Sequence, residues 1–364
     1  MRKKPIQITI LLLAGWLLAA SAGTASAAEF YLRADQRQLT MPDNTVVTIW
    51  GFALDTDNNF ATVDGTPTTP GPMLTVPPAD NTLILHLKNN LPAPVSLVIP
   101  GQIATMTPVF FTDGQGRRRV RAFTAEAVAN GGEATYTWTN FKPGTYLYQS
   151  GSHVAVQVQM GLFGGVKKDA AASQVYTGIA YDNEAILFLS EIDPALHAAV
   201  AGGTYGPNSA MTSTIDYAPK YFLVNGQAEY TMTGVVPVIA VGSRVLVRFL
   251  NAGLLTRIPE LLGAPMTLLS EDGNLSPYPT ERRNSLGLLA AKTMDVMVTP
   301  ETAGVTMSLF DRRGYTSLGT ANGGGTSTGQ VIPGLPAPPT TGTTVQGQGS
   351  GGGGGGCFID TLMN

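Results

Sequence analysis

Short apolar runs with two-residue alternation occupy most of the sequence from residue 29 to about 310, and this pattern limits the possible folds most strongly. Apolar and polar residues alternate in TVVTIWGFAL (45–54), NTLILHLKNNL (81–91) and EATYTWTNF (133–141). Such alternation is typical of strands with one buried face. Proline, glycine, asparagine and aspartate lie between the runs and favour turns. The sequence therefore predicts an all-β chain built as β-sandwiches.

The second half of the chain repeats the pattern in AILFLSEI (185–192), RVLVRFLNAG (244–253) and TMDVMVTP (293–300). The segment IDPALHAAVAGG (192–203) is the one place where a short helix fits. The alternation predicts which side chains face the two cores, because side chains on a strand point to opposite faces in turn. These are Leu83, Leu85, Leu87, Val245, Val247 and Phe249.

The 364 residues are enough for two domains, predicted here as 28–168 and 175–315. After Gly314 the composition changes to glycine, threonine, proline and serine, with six consecutive glycines near the end. A segment of this kind cannot bury enough apolar surface to order itself, so residues 316–364 are predicted to be a flexible tail.

Residues 1–27 have the order of a secretory signal peptide: a charged start, the apolar run ILLLAGWLLAA and a small-residue cleavage site ending at Ala27. No later stretch resembles a transmembrane helix. The protein is predicted to be exported, to the cell surface or the medium, with the periplasm as the alternative. Without this peptide the formal charge is −6, which argues against nucleic acid as a partner.

The single cysteine, Cys357, cannot form an internal disulfide. It follows the glycine run, and the end of the chain resembles the Gly-run-Cys-Phe-Ile tails of some bacterial surface proteins. Two interpretations stay open. Cys357 is either an incidental residue of the tail, or an attachment site that is modified or bonded to another chain.

Two long segments carry a family resemblance. PGPMLTVPPADNTLILHLKNNLPAPVSLVIPG (70–101) and KPGTYLYQSGSHVAVQVQMGLFGGV (142–166) resemble the first cupredoxin domain of multicopper oxidases. The segments YAPKYFLVNGQ, VGSRVLVRFLNAG and AAKTMDVMVTP resemble the second domain of that family. The resemblance covers about residues 30–315 and implies two tandem Greek-key cupredoxin-like sandwiches.

The family's copper ligands are largely missing. The resemblance implies eight histidines at a trinuclear centre, supplied as His-x-His pairs, and a cysteine at a mononuclear centre, but this chain has three histidines in all. Val98 and Pro100 stand where the first pair would fall, and Gln149 stands where the second would begin. The third domain, which brings the cysteine-containing ligand run, is replaced by the predicted tail.

His153 is the candidate metal ligand, with Gln149, Met160 or His153 of another chain as possible partners. The competing interpretation is a hydrogen-bonding loop residue, because one histidine without nearby cysteine or carboxylate falls short of a copper ligand set. His86 and His197 have no partner at ligand spacing and are interpreted as structural. The arginine run 117–119 with Arg121 is interpreted as a solvated loop.

No catalytic residues are assigned. Residues 28–315 contain no Gly-x-Ser-x-Gly motif, and Cys357 has no histidine nearby. The sequence therefore predicts an exported two-domain protein without cofactor that acts in binding or structure, with an unidentified protein or surface as partner. The alternatives are a copper-dependent oxidoreductase completed by ligands from another chain, and a copper carrier that uses His153 and nearby methionines.

Overall fold

The structure is a computed structural model of the chain and describes residues 27–62, 64–104, 106–206, 208–228, 241–277, 281–301, 308–314 and 330–331. The predicted signal peptide lies outside these residues except for Ala27, the first residue of the first strand. The predicted tail lies outside them except for Gln330–Val331. Neither helix in the described ranges has the length or the apolar character needed to cross a membrane.

The first half of the chain forms ten strands and one short helix. They are β1 (Ala27–Thr40), β2 (Val46–Leu54), β3 (Leu74–Val76), β4 (Thr82–Asn89), β5 (Leu97–Val98), β6 (Val109–Thr112), β7 (Arg118–Ala122), β8 (Gly132–Thr139), β9 (Gly144–Ser150), α1 (Val154–Gln157) and β10 (Phe163–Lys168). One sheet has the order β2-β1-β4-β8 and the other β3-β10-β9-β5. β6 and β7 form a separate hairpin.

The core of this first sandwich follows from the alternation in β4. Leu83, Leu85 and Leu87 are fully buried, whereas the residues between them are partly exposed. β1 pairs with β4 in parallel and β8 pairs with it antiparallel, so Leu85 lies opposite Phe30 on one side and Tyr136 on the other. The predicted inward face of β4 is confirmed.

The second half of the chain adds twelve strands and one helix. They are β11 (Gln174–Tyr176), β12 (Ile179–Ala180), β13 (Asn183–Ile192), α2 (Pro194–Ala201), β14 (Tyr221–Val224), β15 (Val245–Asn251), β16 (Pro259–Leu262), β17 (Met266–Glu271), β18 (Asn274–Leu275), β19 (Arg282–Arg283), β20 (Thr293–Val298), β21 (Ser308–Asp311) and β22 (Gln330–Val331). The larger sheet has the order β14-β13-β15-β20-β17-β18, with β19 also on β17. The smaller sheet has the order β16-β21-β22.

The second core forms between these two sheets. Val245, Val247 and Phe249 of β15 are buried in it, as predicted. β22 lies within the predicted tail, yet it pairs with β21, because backbone hydrogen bonding does not depend on composition.

The short helix predicted within residues 192–203 is α2, which starts at Pro194. Asp193 is its N-cap, and its carboxylate accepts hydrogen bonds from the backbone N–H groups of Ala195 and Leu196. Pro194 occupies the first turn, where its missing N–H costs no hydrogen bond. The cap and the proline together fix the start of the helix. The helix places His197 against the first sandwich, where Nδ1 of His197 contacts the carbonyl oxygen of Thr48 at 2.7 Å.

A buried ionic network joins the two sandwiches. The fully buried side chain of Arg248 on β15 donates to Asp169 at 2.6 Å and to Thr145 of β9 at 3.0 Å. The buried Asp295 of β20 accepts from Thr145 and, at 2.6 Å, from the hydroxyl of Tyr176. Because buried charges are costly unless they are paired, this network holds the two halves in one arrangement.

A glycine at the same junction allows close packing. Gly273 has φ +71°, and a Cβ atom at this position would collide with the hydroxyl oxygen of Tyr146 on β9. A side chain is therefore excluded both by the backbone conformation and by the contact. The turn after β17 consequently rests directly on the first sandwich.

The arginine run departs from the predicted loop. Arg118–Ala122 is strand β7, paired with β6 across the turn at residues 113–116. The carboxylate of Asp113 accepts from the backbone N–H groups of Gln115 and Arg117 and so stabilises the turn. The interpretation as a loop was wrong, because a run of charged residues lacks the apolar alternation by which strands were recognised.

Candidate functional site

The two stretches that would carry copper ligands meet at the edge of the first sandwich. β5 and β9 pair antiparallel, and Val98 lies directly opposite Gln149. Both side chains are buried. The structure therefore brings together the two positions singled out in the sequence, but it places an aliphatic side chain and a carboxamide there.

Gly151, two residues after Gln149, leaves no room for a second ligand. A Cβ atom at Gly151 would lie 2.7 Å from Cγ1 of Val98 and 2.9 Å from Oγ of Ser96. The φ of Gly151 is not positive, so the restriction is steric. Val98 fills the space that a side chain at position 151 would need.

Hydroxyl and amide groups surround these residues. Oγ of Ser150 donates to Oε1 of Gln157 at 2.6 Å, and Nε2 of Gln157 donates to the carbonyl of Pro94 at 2.9 Å. The hydroxyl groups of Ser96 and Ser152 lie 3.0 Å apart, and Ser152 also donates to Glu126 at 2.8 Å. Hydrogen bonds within the protein therefore occupy most of these polar groups, which act as structural partners here.

His153 lies just outside this cluster. It is the N-cap of α1, with φ 42° and ψ 51°, and its side chain is exposed. Its backbone N–H donates to the carbonyl of Arg121 at 3.0 Å. Partial desolvation and the nearby Arg121 guanidinium lower the pKa of His153, while Glu126 opposes this. A neutral imidazole can accept a proton or a metal ion, and here Arg121 opposes a metal cation whereas Glu126, its ion-pair partner, favours one.

The proposed partners of His153 are in different surroundings. Met160 is fully buried in the first core, and Gln149 is buried on β9. Within the described ranges no group of three or more His, Cys, Asp or Glu side chains is placed to hold a metal ion. The residues at these positions do not fit a copper centre, because copper sites need imidazole or thiolate donors and this edge offers Val98, Gln149 and Gly151.

The other two histidines have contacts with their neighbours. His86 on β4 stacks on Tyr31 with ring centroids 4.2 Å apart, and its nitrogens contact Glu29 at 2.6 Å and Thr135 at 2.9 Å. His197 is buried, and desolvation lowers its pKa. These contacts agree with the structural interpretation of both residues. Cys357, the predicted attachment residue, lies outside the described part of the chain.

Two buried polar side chains at a small cavity between the sandwiches were not foreseen from the sequence. Oε2 of Glu191 and Nε2 of His197 have no hydrogen-bond partner among the described residues, and both residues line a cavity of about 10 Å³. Oε1 of Glu191 accepts from the backbone N–H groups of Leu254 and Leu255, and burial raises the pKa of this carboxyl group. The cavity has the volume of a single water molecule and is too small for an organic ligand.

A larger cavity opens beside Val98. It has a volume of about 300 Å³ and is lined by Leu97 and Val98 of β5, by residues 104, 106–107 and 124–125, and by the four consecutive residues 135–138. Side chains of consecutive strand residues point to opposite faces of a sheet. Four consecutive residues of β8 can therefore line one cavity only if the cavity lies along the free edge of that strand. The cavity lies at the open side of the first sandwich and has the size of a small ligand pocket.

The fold and the edge described above define a class of protein: two tandem cupredoxin-like sandwiches of the type found in copper oxidases. A multicopper oxidase family model matches residues 48–169, most of the first sandwich. The resemblance predicted from the sequence is confirmed, since this region matches the multicopper oxidase family model. A search of curated proteins found no match.

Solved structures agree on the fold. The multicopper oxidase mgLAC superposes with a TM-score of 0.63 at 18% identity, over 87% of this chain and 89% of that one. The blue copper oxidase from Nitrosomonas europaea gives 0.60 at 14% identity, over 84% of each chain. The copper nitrite reductase from the same organism gives 0.55 at 17% identity, over 80% of this chain and 90% of that one. The predicted all-β class of two cupredoxin-like sandwiches is confirmed.

Proposed function

We propose that this chain is an exported, non-catalytic binding protein that uses a multicopper oxidase fold without copper. One observation carries the proposal. At the paired strands where the family places imidazole ligands, Val98 faces Gln149, and Val98 also closes the space beside Gly151. A fold that keeps its sandwich but fills the ligand space with an aliphatic side chain has lost the donors that electron transfer requires.

Two features of the first sandwich support a binding role. The cavity of about 300 Å³ beside Val98 is open to solvent along the edge of β8. Seven large apolar side chains between residues 103 and 128 are exposed. Their concentration within one short part of the chain supports an interaction surface in this region.

The test is a metal and activity analysis of the purified chain without residues 1–27, after incubation with Cu²⁺ and dialysis. We expect less than one copper ion per chain by mass spectrometry, no intense visible absorption, and no oxidation of phenolic substrates. Tight stoichiometric copper with turnover would instead establish the oxidoreductase alternative, with ligands supplied by another chain.

The copper carrier alternative has its own control. If His153 binds copper, His153→Gln should abolish the bound metal, whereas His86→Gln should leave it unchanged. We expect neither variant to change the copper content, because neither histidine belongs to a group of three or more His, Cys, Asp or Glu side chains placed to hold a metal ion in the described residues. His86 is the matched control, since it is the other partly accessible imidazole in the folded domain.

We further propose Cys357 as the point of attachment to the surface or to another chain. A glycine-rich spacer reaches about 5–6 Å × √n, so it can present the thiol away from the folded domains. Cys357→Ser should keep the fold and shift the protein from the cell-associated fraction to the medium, or remove a covalent dimer. Unchanged fractionation and unchanged migration without reductant would make Cys357 an incidental residue.

A further inference from the structure

The β6–β7 hairpin exposes aromatic and basic side chains on both of its faces. Phe110 and Phe111 are 40% and 42% exposed, and they are consecutive residues on β6. Consecutive strand residues point to opposite faces, so each face of the hairpin carries one phenylalanine. The hairpin is separate from the two sandwich sheets, and neither phenylalanine belongs to a hydrophobic core cluster within the described part of the chain.

Arginines from β7 accompany both phenylalanines. Phe110 pairs with Val120 and Phe111 with Arg119. The guanidinium carbon of Arg118 lies 3.5 Å from the ring centroid of Phe110, which is a cation–π contact. Each face of the hairpin is therefore both apolar and basic.

The charge of the hairpin is opposite to that of the whole molecule. Asp113 pairs with Arg117 and Arg119 at 2.8 and 3.0 Å, and Glu126 pairs with Arg121. Four arginines against these two carboxylates leave an excess of positive charge, and Arg118 forms no ion pair within the described ranges. The chain without its predicted signal peptide is acidic, so an anionic surface attracts this hairpin and repels most of the rest.

From this arrangement we propose that the β6–β7 hairpin inserts into the interfacial region of an anionic lipid bilayer. A flat protein partner would cover one face of a two-stranded hairpin and leave the other phenylalanine in water. A lipid interface surrounds an inserted element, buries aromatic rings on both faces, and pairs the arginines with lipid phosphates. The exposed Ile103, Met106 and Phe123 flank the hairpin in the chain and add apolar surface. This inference rests on the binding role proposed above and names its partner.

The experiment is a vesicle sedimentation assay with the chain lacking residues 1–27. Vesicles contain phosphatidylglycerol and phosphatidylcholine in equal parts, or phosphatidylcholine alone. We expect binding to the anionic vesicles only. Binding should weaken when the salt concentration rises from about 0.1 M to about 1 M, because the Debye length falls from about 10 Å to about 3 Å.

Variants separate the apolar from the electrostatic contribution. Phe110→Ser with Phe111→Ser should weaken binding at least tenfold, because it removes the two aromatic rings that would be buried in the lipid interface. Arg118→Gln should weaken it about fivefold. Leu275→Ser with Leu289→Ser is the matched control, since these side chains are similarly exposed on the second sandwich, and it should bind like the unmodified protein.

Insertion can also be observed directly. Phe111→Trp places an indole at the hairpin, against a background of two buried tryptophans in the described residues, Trp50 and Trp138. Brominated acyl chains should quench its emission in anionic vesicles. Adsorption without insertion would leave the emission unquenched and overturn the proposal.

The remaining outcomes are equally decisive. No binding to anionic vesicles, or binding that the paired phenylalanine variant retains, would overturn the lipid partner. Binding to polyglutamate but not to vesicles would overturn it in favour of an acidic protein. These results are independent of copper content, so a copper-loaded active oxidase would refute the proposed function without changing the vesicle result.

Discussion

Gly151→Ala tests whether Val98 occupies the space that a second ligand would need. The new Cβ would lie 2.7 Å from Cγ1 of Val98 and 2.9 Å from Oγ of Ser96, both closer than real Cβ contacts allow. Overpacking of this kind costs about 1–3 kcal/mol in the free energy of unfolding. The backbone adds no strain, because φ at Gly151 is not positive.

A second substitution, at Val98, completes a double-mutant cycle by removing the side chain that the new Cβ would contact. Val98→Ala alone should cost about 1–2 kcal/mol, since it deletes two buried methyl groups. In that background Gly151→Ala should cost at least about 1 kcal/mol less than in the unmodified protein. An alanine also restricts the unfolded chain, which contributes about 0.4–1 kcal/mol in the opposite direction.

Urea unfolding of the four proteins in this cycle measures the coupling. Gly287→Ala is the matched control, because its φ is not positive and no atom of the described residues lies within 4 Å of the place its Cβ would take, so no cost is expected. If the two changes are additive within about 0.3–0.5 kcal/mol, Val98 does not fill the ligand space and the structural basis of the proposed function fails.

Three further predictions concern the folded body. Leu85→Ala should cost about 2–5 kcal/mol and lower the melting temperature, because this side chain is fully buried; an unchanged value would refute the register of β4. Arg248→Met should cost about 3–5 kcal/mol in urea because it leaves Asp295 uncompensated, whereas Arg282→Met on the surface should cost less than about 1 kcal/mol. Because burial lowers the pKa of His197, the free energy of unfolding should decrease below pH 6.5, by at most about 1.4 kcal/mol per pH unit. His197→Gln should reduce this decrease when unfolding is measured across pH.

The sequence predicted elements whose pattern is local. The alternation around Leu85 identified a strand and its buried face, and the run around Val247 identified a strand that proved to be buried on both faces. The segment 192–203 holds the one short helix foreseen. The parallel pairing of β1 with β4 was not predictable in this way, because it joins residues about fifty positions apart and leaves no signal in either strand alone.

The site was predictable only in part. The family resemblance located Val98 and Gln149, but their direct opposition and the closed space at Gly151 depend on strand register. Arg248 lies in an apolar strand segment, and a charged residue there is a sign of a buried pair that sequence reasoning missed. Its partners Asp169 and Asp295 could not be identified, because they come from distant parts of the chain.

The network around Arg248 has a consequence for how the molecule melts. Thr145 of the first sandwich accepts from Arg248 and donates to Asp295, both of the second sandwich, so unfolding the first half removes a hydrogen-bond partner from two buried charged groups of the second. A calorimetric scan should therefore show one heat-absorption peak whose van't Hoff and calorimetric enthalpies agree. A partner that binds the first half would then raise the melting temperature of both halves together.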